Sequence, residues 1–129
     1  MPDKKYNVLL DGEKIGTTAL EKADAPMGVV FGVLNFESIQ SGYNFFENYC
    51  KTNEIDATAY PENKLISTNE IPNLRVFDSV EKEIIGIACS ISGMDSDLFE
   101  ITILGISYPF YEEEFPHHVQ AYHNQFGDE

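Results

Sequence analysis

From Leu98 to Ser107 the chain alternates strictly. Phe99, Ile101, Ile103 and Gly105 fall on one side, and Leu98, Glu100, Thr102 and Leu104 on the other. Such a period of two marks a strand with one buried face, because successive side chains of a strand point to opposite faces. Just before it, Glu83 to Ser92 carries Ile84, Ile85, Ile87 and Ile91, and Gly93-Met94-Asp95-Ser96 separates the two runs as a turn. The pattern predicts a hairpin of 83–92 with 98–107. As the most apolar strands of the chain, these two belong at the centre of the sheet.

The remaining segments extend that sheet. Tyr6 to Leu10 runs into Asp11-Gly12, a pair suited to positive φ in a type I′ turn, and Lys14 to Leu20 follows, so 5–19 is a first hairpin. Glu21 to Pro26 is a polar break, and Met27 to Asn35 is a third strand in which Gly28 and Gly32 point to a bulge or a close contact. Leu65-Ile66-Ser67 and Asn73 to Ser79 are shorter strands, whereas Thr52 to Asn63, ending in Tyr60-Pro61-Glu62-Asn63, is a loop. The clearest helix starts at Ser38 or Ser41 and ends at Asn53, with Ile39, Tyr43, Phe46 and Cys50 at helical spacing. A second helix starts at Pro116 and places Val119, Tyr122 and Phe126 on one face. The expected fold class is α+β: a mainly antiparallel sheet of about five or six strands, one central helix near 41–53 and a C-terminal helix. Residues 1–129 are expected to form a single globular domain.

Charge bears on the partner. The chain has a net charge of −14, and from Glu83 to Glu129 it holds nine carboxylates and no Lys or Arg. Such a field repels nucleic acid and anionic membrane and draws in cationic surfaces. Nine Phe and seven Tyr supply a core, so the acidity does not imply disorder. The N-terminus has no apolar leader run, and the longest weakly polar stretch, Met27 to Phe36, is about half a membrane span. These features predict a cytoplasmic protein. Cys50 and Cys89 each sit in an apolar segment and are expected to be reduced and mostly buried.

Motifs for catalysis are missing. There is no Gly-x-Ser-x-Gly elbow and no phosphate loop ending in Gly-Lys-Ser/Thr, and Ser92 lacks a recognisable base. His117, His118 and His123 follow Glu112-Glu113-Glu114, yet neighbouring helical residues turn about 100° apart, so the three imidazoles leave on different faces. Helical zinc sites use steps of three or four. No metal, cofactor or catalytic residue is expected, and the three histidines read as surface residues of a terminal helix.

Taken as a whole, an acidic α+β chain of this size without catalytic motifs resembles the small immunity proteins encoded beside toxins in bacterial contact-dependent and polymorphic toxin systems. The resemblance implies a non-catalytic inhibitor that binds a cognate basic toxin domain, one that targets nucleic acid in many such systems. Two rivals stay open: an acidic decoy that mimics nucleic acid, and a small-ligand-binding protein or enzyme with a pocket under the Phe- and Tyr-rich elements. The binding surface is expected among acids that no nearby base offsets in sequence: Asp95 and Asp97 at the hairpin turn, Glu100 on its strand, and Glu112, Glu113 and Glu114 beyond it. Phe110, Tyr111 and Phe115 interleave with the triple glutamate, which favours that side, since aromatic anchors supply affinity that charge alone does not. The same three glutamates also suit the N-terminus of the helix that follows.

Overall fold

A computed structural model describes residues 4–126, the side chain of Phe126 excepted. Two antiparallel sheets make up the fold, together with three α-helices. The first sheet contains β1 (Tyr6–Leu10), β2 (Glu13–Thr18), β5 (Asn35–Phe36) and β8 (Leu74–Phe77), in the order β5-β2-β1-β8. The second contains β3 (Lys22–Asp24), β4 (Val29–Val33), β6 (Ala57–Tyr60), β7 (Leu65–Thr68), β9 (Ala88–Met94) and β10 (Phe99–Leu104), in the order β3-β4-β10-β9-β7-β6. The β9–β10 hairpin lies at the centre of the second sheet, with Ile101 opposite Ile91. Its inward residues Phe99, Ile101 and Ile103 are buried while Leu98 and Leu104 are exposed, as strict alternation requires.

The first hairpin closes through Asp11 and Gly12, whose φ values of 53° and 83° are both positive. Two glycines in the β4 region mark close approaches. A Cβ on Gly28 would lie 2.5 Å from the Ile106 carbonyl oxygen, and one on Gly32 would meet the Leu20 amide nitrogen at 2.8 Å. Leu34, buried between β4 and β5, carries the chain from one sheet to the other.

Helix α1 (Gly42–Thr52) begins at Ser41, whose hydroxyl accepts the Asn44 amide at 3.1 Å, and ends at Asn53. It buries Tyr43, Phe46 and Cys50 against β6, β7 and β9. A short helix α2 (Phe110–Glu114) leads into α3 (Pro116–Phe126). One continuous core joins both sheets and the helices: Tyr6 and Val8, Val76, Ile66, Ile91 and Ile101, Phe46, Tyr111 and Phe115.

Three segments depart from the sequence reading. Residues 83–87 are not part of a strand; they cross from β8 to the head of β9 by single bonds, the Ile84 amide to the Val76 carbonyl and the Ile87 amide to the Leu104 carbonyl. Two edge strands, β3 and β6, occupy stretches whose polarity predicts loops, because an edge strand needs few apolar residues to pair. His118 is buried, its Nε2 donating to the Leu20 carbonyl at 2.8 Å, so it is not a surface histidine. The expected single sheet is two. Among the described residues no helix is long and apolar enough to cross a membrane.

Candidate interaction surface

The expected acidic face is partly turned inward. α2 is helical, and its period of 3.6 carries Tyr111, Glu114 and Phe115 to one side, which packs into the core. Tyr111 is fully buried, stacks on Tyr108, lies tilted against Phe115, and donates its hydroxyl to the Val29 carbonyl at 2.9 Å. Phe115 lies against Tyr6. These two rings are core residues rather than exposed anchors. Phe110 is half-buried beneath the Lys82 ammonium, 5.6 Å from its ring centre. Only Glu112 and Glu113 of the segment are exposed.

Glu114 is a buried carboxylate at the centre of a part-buried charge cluster. Its carboxylate accepts from Lys4 Nζ at 2.5 Å, from the Tyr6 hydroxyl at 2.8 Å and from Lys82 Nζ at 2.7 Å. Asp78 lies 3.7 Å from Lys4 Nζ and 3.9 Å from Lys82 Nζ, and accepts the backbone amides of Val80 and Lys82. Burial works against the ionised Glu114, but the bonds from Lys4, Lys82 and Tyr6 outweigh it and hold its carboxyl below the usual range. The backbone N–H of Lys82 is the main cause that holds Asp78 down as well. The Lys82 ammonium is correspondingly raised by its bond to Glu114. Glu114 therefore ties β1, the 78–82 turn and α2 together.

The other end of β10 is also committed to structure. Asp95 accepts the Tyr43 amide at 3.0 Å through Oδ1 and the Ser41 hydroxyl at 2.5 Å through Oδ2, so it caps α1 from the hairpin turn. Glu100 pairs with Lys22 at 3.1 Å across the intervening β4. Asp97 stays exposed in the turn. Lys4, Lys14, Lys22, Lys51, Arg75 and Lys82, six of the eight bases, take part in ion pairs within the chain.

The structure adds a surface that the sequence reading did not contain. Val80, Ile85 and Ile87 are 79, 64 and 81% exposed, with Leu104 and Tyr108 also outside. Ile87 lies over Gly105, where a Cβ would meet its Cδ1 at 2.6 Å. Beside them a groove of about 300 Å³ runs between β8 and the 83–88 segment, lined by Ile71, Leu74, Val76, Glu70, Glu83 and Ile87. The sequence carries one signal of this break: Ile84 differs in parity from Ile85, Ile87 and Ile91, so the isoleucines of 83–92 do not share one face of a single strand.

Neither thiol has the setting of a nucleophile. Burial pushes the Cys50 thiol up, and it pushes Cys89 up to about 12, with Glu83 adding to the effect. Both cysteines are unbridged. We expect a disulfide-exchange reagent at neutral pH to label neither thiol quickly in the native protein and both after denaturation. Fast labelling of one native thiol would show that its surroundings are open. Among the described residues no three His, Cys, Asp or Glu side chains come together as metal ligands. Compared with protein-family models, with curated proteins and with solved structures, the chain finds no match in any of the three.

Proposed function

We propose that this chain is a non-catalytic immunity protein of the cytoplasm that binds and neutralises a cognate basic toxin domain. The observation that carries the reading is where the charge goes. Six of the eight bases pair within the chain, with Glu114, Asp78, Glu100, Glu37, Glu47 and Glu83, and the 22 acids far outnumber them, so the unpaired excess is carboxylate. Glu112 and Glu113 stand exposed on α2 beside the half-exposed ring of Tyr108. A surface of this kind steers a cationic domain toward it and opposes nucleic acid at the same place.

The test is co-expression with the toxin encoded by the neighbouring gene, together with association kinetics on the purified pair. Wild type is expected to rescue growth, and association is expected to slow steeply with added salt. Glu112→Lys combined with Glu113→Lys should slow association by about tenfold and weaken its salt dependence, because steering acts on the encounter rate. Both side chains are exposed, so the fold should hold. A wild type that neither binds nor rescues, or an on-rate indifferent to ionic strength, would sink the reading.

A further inference from the structure

We infer that Val80, Ile85, Ile87, Leu104 and Tyr108 form the apolar centre of an interface for a basic protein whose own apolar side chains are flanked by Lys and Arg. The inference rests on the reading of a basic partner and specifies how that partner is held. These are five of the eight large apolar side chains left exposed among the described residues, and all five come from two short segments. The segments run side by side. The Ile87 amide donates to the Leu104 carbonyl at 2.7 Å, and five residues earlier in the chain Lys82 reaches Phe110 and Glu114. Single exposed apolar residues are ordinary, but a concentration of them on adjoining segments marks a contact site.

Acids outnumber bases around this strip. Glu70 and Glu83 line the groove along Ile85 and Ile87, where Arg75 pairs with Glu83 at 3.7 Å, and Lys82 is paired with Glu114. Glu81 follows Val80 in the 78–82 turn, and Glu112 and Glu113 stand exposed on α2, which is tied to that turn through the Lys82–Glu114 pair. An apolar centre with a charged rim is the usual anatomy of a specific interface. Charge also selects the occupant. A second copy of this chain would bring −14 against −14, whereas Lys and Arg around an apolar ridge meet the excess glutamates with opposite sign.

The partner chemistry can be tested with defined probes. Short peptides of alternating Lys and Leu, Lys and Ser, or Glu and Leu are titrated into methyl-labelled protein, and the Val80, Ile85, Ile87 and Leu104 methyl signals are followed. The Lys/Leu peptide is expected to shift these methyls, the Lys/Ser peptide to bind far more weakly, and the Glu/Leu peptide not to bind. Ile85→Ser with Ile87→Ser replaces side chains that already face solvent, so the thermal midpoint should hold while Lys/Leu affinity falls about tenfold or more. Equal binding of the Lys/Ser peptide, shifts confined to other methyls, or a dimer that Ile87→Ser dissociates in sedimentation would each overturn the inference. The toxin assay separates the two readings. If the double serine variant binds the toxin as wild type does, the strip is wrong and the immunity reading stands. If the peptides anchor at the strip but wild type ignores the toxin, the immunity reading is wrong and the strip stands.

Discussion

Replacing Tyr111 by alanine is expected to cost about 3–5 kcal/mol of folding stability, the range for truncating a large buried aromatic ring. The ring is fully buried, with centres 5.2 Å from Tyr108 and 5.4 Å from Phe115. Its hydroxyl also satisfies the Val29 carbonyl, linking α2 to β4. Tyr111→Phe keeps the ring and loses only that bond, so it should cost about 0.5–1.5 kcal/mol. Urea unfolding separates the two, with the midpoint moving and the slope unchanged if both states keep their compactness. An alanine variant within about 1 kcal/mol of wild type would show that α2 does not hold this ring inside, since core truncations rarely cost so little. The same result governs how binding data are read. A loss of partner binding in Tyr111→Ala would report an unfolded α2, while Glu113→Lys, on an exposed side chain, reports the surface itself.

The elements that the sequence made legible are those in which local pattern and tertiary burial agree. β10 is one: every second residue from Phe99 to Ile103 is buried. α1 is another, because the Ser41 cap, the Asn53 end and the Tyr43–Phe46–Cys50 face are all local signals. β6 was illegible for the opposite reason. As an edge strand it leaves Ala57, Thr58 and Tyr60 exposed, and its pairing with β7 depends on backbone bonds that leave no periodicity in composition. The candidate surface was harder still. Counting charge along the chain treats Glu100 and Glu114 as unopposed, but their partners Lys22 and Lys4 lie 78 and 110 residues away. Likewise, interleaving aromatics with acids over 110–115 reads as a mixed surface until the segment is known to be helical, when the period sorts Tyr111, Glu114 and Phe115 to one side and Glu112 and Glu113 to the other.

Glu114→Gln is expected to remove about 1–3 kcal/mol at neutral pH, the cost of replacing charge-assisted bonds at a buried acceptor by weaker neutral ones. The loss is limited because Lys4 and Lys82 have side chains about half exposed, 46% and 50%, and regain water when the carboxylate goes. The same contribution shows in the pH dependence. Glu114 and Asp78 are both held below the usual carboxylate range in the folded chain. Each therefore binds fewer protons folded than unfolded, so its contribution is complete above the unfolded values of about 4.3 for Glu and 3.9 for Asp. That contribution is lost as pH falls through the lowered folded values. Wild type should accordingly lose stability on acidification from about pH 5 downward, and Glu114→Gln should lose less over the same interval, with Asp78 left to supply the remaining slope. Urea unfolding at a series of pH values reads both quantities. Identical acid limbs for the two proteins would mean that the Glu114 carboxylate is not held by Lys4, Lys82 and Tyr6, and that the junction between β1 and α2 depends on packing of Tyr6 and Phe115 alone.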